Sequence, residues 1–209
     1  MDRTLPPDCL QRLHALLDRP GRTLLGIVAP PGAGKSTLAR ALADASPGRS
    51  VVVPMDGFHL ANVQLRRLGR ADRKGAPDTF DADGYVALLH RLRAQRFDEV
   101  VYAPEFRREI EEPIAGAIAV DAQVPLVITE GNYLLLDSGP WAGVRPLLDE
   151  VWYVDVDEAV RARRLVERHV AHGRSPEAAQ AWVASTDEPN ARLIAQTRGR
   201  ADFFVDWTG

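Results

Sequence analysis

A lysine, two hydroxyl residues and a run of small residues stand together in Gly26-Ile27-Val28-Ala29-Pro30-Pro31-Gly32-Ala33-Gly34-Lys35-Ser36-Thr37. The chemistry they can do is to hold phosphate. Glycines let backbone N–H groups converge on anionic oxygens, and a helix starting at Lys35-Ser36 adds partial positive charge. Lys35 is predicted to reach the β and γ phosphates of a nucleotide and Ser36 to coordinate Mg²⁺, with Gly32, Ala33, Gly34 and Thr37 completing the cradle. The pattern departs from G-x-x-x-x-G-K-[ST] at its first position, which is Ala29. That position ends the strand and needs only a small side chain. A strand–helix turn that happens to contain Gly-Lys-Ser is the bland alternative, and the apolar strand before it and the helix after it argue against that.

Further charged groups could carry a transfer reaction. Asp56, in Pro54-Met55-Asp56-Gly57-Phe58-His59, follows a short apolar run, where a carboxylate can take the proton of an attacking hydroxyl or help hold Mg²⁺. An Asp-Gly pair also makes a plain turn. Glu130 ends the apolar run Leu126-Val127-Ile128-Thr129, the position of an acid that binds Mg²⁺ directly or through water. Arg161, Arg164 and Arg168 share a helical face with Arg174 just beyond, as a lid that neutralises a transferring phosphoryl requires. The competing reading of that face is a solvated surface helix, since Arg163 and Glu167 have the spacing of a surface pair. The guanine-reading N-K-x-D and the transporter L-S-G-G-Q motifs are both missing.

Short apolar runs alternating with helical periodicity must position these groups, which predicts an α/β three-layer domain with a central, mostly parallel sheet. Strands are expected at residues 23–29, 51–53, 100–103, 126–129, 151–154 and 203–205, and a helix at 36–45. Tyr85, Leu88, Leu89 and Leu92 trace one face of another helix. The polar stretch 57–83 is too long for an idle connection. Residues 157–198 read as at least two helices, because Ser175-Pro176 has the form of an N-cap followed by proline at the first helical position.

The chain of 209 residues suits one domain, 1–209, with its lid at about 157–190. A net charge of −3 predicts neither nucleic acid nor a membrane surface as partner. The single cysteine, Cys9, forms no internal disulfide, the N-terminus lacks the order of a signal peptide, and no apolar run approaches a membrane span. A cytoplasmic protein is expected, and a homodimer is left open.

Together these pieces resemble the uridine kinase, phosphoribulokinase and bacterial pantothenate kinase group of P-loop kinases, over residues 24–206. The resemblance implies ATP and Mg²⁺ as cofactors, a P-loop nucleoside triphosphate hydrolase fold with a helical lid, and Asp56 as catalytic base, with Lys35, Glu130 and Arg168 assisting. It implies a substrate loop in Arg73-Lys74-Gly75-Ala76-Pro77-Asp78-Thr79-Phe80-Asp81, where Asp78 contacts the acceptor. The stretch with Arg161, Arg164, Arg168 and Arg174 is similar to the group's lid. Thr197-Arg198-Gly199-Arg200-Ala201-Asp202 resembles its segment near the adenine, which brings Arg198 to the nucleotide. Uridine kinases carry a Tyr-Asp and a His before the Glu-Gly strand, and Tyr102-Ala103-Pro104-Glu105-Phe106-Arg107-Arg108-Glu109 does not supply them. The combination looks most like small bacterial members labelled fructose-transport-system kinases. The expected acceptor is therefore a small molecule with several hydroxyls, best a sugar such as fructose, in a pocket drawing on Asp56, His59, Arg73, Asp78, Tyr102 and Arg108. A nucleoside or pantothenate acceptor is the alternative. A non-catalytic ATP sensor is the rival from another class, against which stand Asp56 and Glu130 together.

Overall fold

The chain was analysed as a computed structural model that describes residues 4–207. Strand β1 (Thr23–Val28) is buried at every position, as a strand covered on both faces must be. Its side chains alternate between two cores with the period of two that extended backbone imposes. Leu24 and Val28 join Val127, Val151 and Tyr153 on one face. Leu25 and Ile27 join Ile128, Trp152 and Val154 on the other.

In chain order, α1 (Pro7–Leu17) precedes β1, and α2 (Lys35–Asp44), β2 (Ser50–Pro54), α3 (Asn62–Arg67) and α4 (Ala82–Arg93) follow it. Next come β3 (Val100–Arg107), β4 (Glu112–Asp121), β5 (Leu126–Gly131) and β6 (Glu150–Asp155). The chain closes with α5 (Glu158–Ala171), α6 (Pro176–Trp182), α7 (Glu188–Ala195) and β7 (Phe203–Asp206). Five strands form a parallel sheet in the order β2-β5-β1-β6-β7. Leu13, Leu16 and Leu17 of α1 and Leu38 and Leu42 of α2 pack on one face. Tyr85, Leu88, Leu89 and Leu92 of α4 pack on the other. This is the three-layer α/β arrangement that the apolar pattern predicts.

Register brings the chemistry to one edge. Ile27 and Pro54 both lie opposite Glu130, so the carboxyl ends of β1, β2 and β5 finish level. Ligands bind in such a crevice in open parallel sheets.

The structure differs from the sequence reading in places and adds to it in others. Helix α1 was not expected. The strand expected at 100–103 lies outside the main sheet: β3 pairs antiparallel with β4, itself unexpected, in a separate ribbon. Only alternate β3 residues, Val101 and Ala103, are fully buried, because the ribbon covers the core with one face. The polar stretch 57–83 contains α3 and short 3₁₀ turns. The stretch 157–198 is three helices, with a π-helical turn at Val183–Asp187 between α6 and α7. Ser175 caps α6 as predicted, accepting from the Ala178 N–H at 3.2 Å.

Candidate active site

The loop between β1 and α2 turns on Gly32 and Gly34, at φ +82° and +90°, a region that side chains rarely enter. At Gly32 a Cβ would also lie 2.8 Å from the Arg161 carbonyl oxygen, so the loop sits directly on α5. Arg161 is accordingly not a mobile lid cation. It is buried, its Nη2 lies 2.6 Å from Glu188 Oε1, and its Nη1 reaches the Pro31 carbonyl at 3.4 Å. Gly32, Gly34, Lys35, Ser36 and Thr37 line a cavity of about 580 Å³.

Glu130 lies at the end of β5 beneath this loop, 3 % exposed, and accepts from the Ser36 hydroxyl at 2.7 Å. Its second oxygen, Oε2, is buried without a hydrogen-bond partner. Asp56 sits in the 3₁₀ turn Met55–Phe58 that follows β2, and it lines the same cavity. Burial opposes its charge, but His59, Lys35, Arg108 and Arg168 outweigh that and hold its carboxyl below the usual range. Glu130 moves the other way: burial raises it, Lys35 opposes, and the neighbouring Asp56 charge raises it again. Two carboxyls at one sheet edge are thus driven apart, and Asp56 is the one held ionised. Ionised is the state in which a carboxyl can accept a proton.

His59 is stacked between Phe80 and Phe106, with ring centroids 4.0 and 4.5 Å away. Its Nδ1 lies 2.8 Å from the Asp56 carbonyl, so that nitrogen carries the proton and donates it. Burial pushes its pKa down, with the Asp56 charge opposing. Arg108, beyond the end of β3, places Nη2 3.7 Å from Asp56 Oδ2.

Helix α5 and the segment after it supply further lining. Arg164 and Arg168 of α5 line the cavity, as does Arg174, whose guanidinium stacks 4.0 Å over Trp182. Burial and the nearby Arg108 lower the pKa of Arg168, with Asp187 and Asp56 opposing. His169 Nε2 meets Asp187 Oδ2 at 2.8 Å, and both line the cavity.

Several expected site residues lie elsewhere. Tyr102 is 59 % exposed and outside the cavity, because it alternates with the inward Val101 and Ala103 on β3. Arg73 and Asp78 pair with each other at 2.7 Å at the surface and do not line the cavity. Arg70 also reaches Asp78, at 3.4 Å, so the carboxylate is drawn outward, and Lys74 and Gly75 face the cavity in their place. Ala33 and Arg198 belong to an adjoining cavity of about 260 Å³ behind the phosphate loop, with Tyr153 and Asp155. There Arg198 is held by Asp155 at 2.6 Å and stacks 4.1 Å over Phe204.

The sequence reading missed Lys74, Phe106, Glu111, Asn132, His169, Asp187 and Asn190, all of which line the main cavity. Lys74 and Phe106 stood inside quoted motifs and had a signal. Glu111 and Asp187 sit in elements, a hairpin turn and a π turn, that no periodicity announced.

Residues 24–208 match the phosphoribulokinase / uridine kinase family. The chain is 37% identical to a candidate uridine kinase, C227.14, of Schizosaccharomyces pombe over 171 residues, covering 78% of this chain and 72% of that one. It is 35% identical to YggC of Escherichia coli over 192 residues, 90% of this chain and 78% of the other. Among solved structures, a candidate fructose transport system kinase from Silicibacter sp. TM1040 superposes with a TM-score of 0.86 at 40% identity, covering 95% of this chain and 97% of that one.

Proposed function

Because the chain belongs to the phosphoribulokinase / uridine kinase family and is an ATP-dependent phosphotransferase, we propose that it moves the γ-phosphate of Mg-ATP onto a hydroxyl of a small polyhydroxy acceptor, a sugar of the fructose type being the preferred one. The observation that carries this reading is Asp56 lining one cavity with the phosphate loop, where Lys35, Arg108 and Arg168 favour its charged form against burial.

In the reaction proposed, an acceptor hydroxyl gives its proton to Asp56 while its oxygen bonds to the γ-phosphorus. The bond from that phosphorus to the β,γ-bridging oxygen breaks, and ADP carries away the electron pair. Lys35 holds the β and γ oxygens, and Arg164, Arg168 and Arg174 close from the lid to neutralise charge and exclude water. His59 fixes the Asp56 turn through its hydrogen bond to the Asp56 carbonyl. The adenine is assigned to the smaller cavity beside Arg198 and Tyr153.

The residues fit Mg²⁺. Glu130 has a buried, unpartnered oxygen beside the Ser36 hydroxyl, and both are hard oxygen donors. Among the described residues no cluster of three or more His, Cys, Asp or Glu forms a metal cage. That suits an ion which keeps its waters and takes its other ligands from phosphate. Held by Ser36 and Glu130, Mg²⁺ would neutralise phosphate charge during the transfer.

Two observations favour a sugar. The similar Silicibacter structure carries a fructose transport name, and the cavity offers Asp56, Asn132, Asp187 and Asn190 as partners for hydroxyls. The test is initial-rate kinetics at saturating Mg-ATP with fructose, ribose, glycerate, pantothenate and uridine. Fructose or a related sugar should be the efficient acceptor. Efficient uridine phosphorylation without sugar activity would overturn the acceptor assignment. No helix among the described residues is long and apolar enough to cross a membrane.

A further inference from the structure

Three buried side-chain polar atoms have no hydrogen-bond partner among the described residues: Glu130 Oε2, Asn132 Oδ1 and Trp207 Nε1. Buried polar atoms are nearly always paired, so each orphan asks for an explanation. Glu130 Oε2 has one in the cation its site fits. Asn132 lies two residues further on, at the same edge of the sheet, and lines the main cavity.

Its orientation is fixed from behind. The Tyr133 hydroxyl gives its only proton to the Gly75 carbonyl at 2.5 Å. The phenol oxygen is left with acceptor capacity alone. Burial pushes the Tyr133 phenol up, and the Asn132 side chain opposes that, as an amide NH₂ turned toward the phenol does. The Asn132 side-chain carbonyl oxygen is itself buried and has no donor.

A phosphate oxygen cannot answer that need, because ionised phosphate accepts hydrogen bonds and does not give them. The donor must come from an uncharged or cationic group of a ligand. Across the cavity, Asp187 and Asn190 are nine-tenths buried and line the same wall, so hydroxyl-binding groups approach from the lid as well.

We propose that Asn132 is an acceptor-positioning residue, whose side-chain carbonyl accepts a hydrogen bond from an acceptor hydroxyl other than the one phosphorylated, with Asp187 and Asn190 completing that recognition when the lid closes. This rests on the reading of the cavity as the site of a polyhydroxy acceptor and deepens it. Asn132 selects among acceptors and has no part in holding ATP.

The experiment compares wild type with Asn132→Ala and Asn132→Asp, using the panel member that the wild type phosphorylates best among fructose, ribose, glycerate, pantothenate and uridine. Asn132→Ala should raise the acceptor KM about 5–100-fold, the scale of one unmet hydrogen bond. KM for Mg-ATP and the Mg²⁺ concentration for half-maximal rate should stay within about twofold. Asn132→Asp keeps an accepting oxygen and should recover much of the acceptor affinity. One monodeoxy analogue should lose a similar factor with wild type and almost nothing more with Asn132→Ala, since both changes delete the same bond. A merely structural role would not produce that non-additivity. An unchanged acceptor KM, or equal analogue discrimination in wild type and Asn132→Ala, overturns the proposal. So does a shifted Mg²⁺ requirement, which would move Asn132 to the metal. If wild type phosphorylates no member of the panel, the acceptor reading fails first and this inference falls with it, a failure visible without any variant.

Discussion

Ser36 and Glu130 lie 94 positions apart in the sequence, yet the Ser36 hydroxyl stands 2.7 Å from Glu130 Oε1. The parallel pairing of β1 with β5 puts them together, since Ile27 lies opposite Glu130 and the phosphate loop begins just past the end of β1. A hydroxyl beside a carboxyl with one oxygen unpartnered puts two hard oxygen donors side by side, which suits a hard cation such as Mg²⁺.

Glu130→Gln should therefore lower kcat by roughly 10–100-fold and raise the Mg²⁺ concentration needed for half-maximal rate, as loss of a metal-orienting group does. Titration of the rate against Mg²⁺ at fixed ATP reads this. An unchanged Mg²⁺ dependence would take Glu130 out of the metal site.

Gly57 follows Asp56, and a Cβ there would lie 2.4 Å from the Pro104 carbonyl oxygen. The β3 backbone thus seats the turn that carries the base. Gly57→Ala should destabilise the fold by roughly 1–3 kcal/mol through overpacking, lowering Tm by several degrees, and should cut kcat because the turn must shift. Thermal unfolding and initial rates measure the two effects together.

How much of this was legible in the sequence depended on burial. Strands β1, β5 and β6 are covered on both faces, so they read as apolar runs, and the phosphate loop and Glu130 could be placed on the ends of β1 and β5, as Asp56 could after the shorter run at 51–53. The ribbon strand β4 reads Pro113-Ile114-Ala115-Gly116-Ala117-Ile118-Ala119-Val120, apolar throughout yet largely exposed. It has no alternation to announce a strand. Helix α1 did carry a signal, with Cys9, Leu13, Leu16 and Leu17 on one face and Pro7 at its first position, though the N-terminus was read only for what it lacked. Side-chain direction was the harder matter: Arg73 and Lys74 are adjacent, and Asp78 holds Arg73 outward while Asn62 and Glu111 hold Lys74.

Tyr102→Ala tests one such correction. The side chain projects outward from β3, so acceptor and ATP kinetics should both stay close to wild type, within the roughly 0.5 kcal/mol typical of surface changes. A large rise in acceptor KM would return Tyr102 to the pocket.

Cys9 is 1 % exposed in α1, and burial followed by the Asp8 charge raises its thiol from 9.0 to about 11. A thiol reagent at pH 8 should leave the native protein unlabelled and label it fully once unfolded. The native thiol holds its proton where the unfolded one has lost it. Its contribution to stability is therefore complete below pH 9.0 and is lost as pH rises from there through about 11. Denaturant unfolding across that window, compared with Cys9→Ala, isolates the effect.

The central claim is that Asp56 takes the proton of the attacking hydroxyl, and Asp56→Asn tests it most directly. The substitution keeps the shape and removes the base. With the best acceptor, kcat should fall by roughly 10²–10⁴-fold, the usual scale for a positioned base, while Mg-ATP affinity measured by calorimetry stays near wild type. A fall of less than about tenfold with intact ATP binding would show that another group accepts the proton.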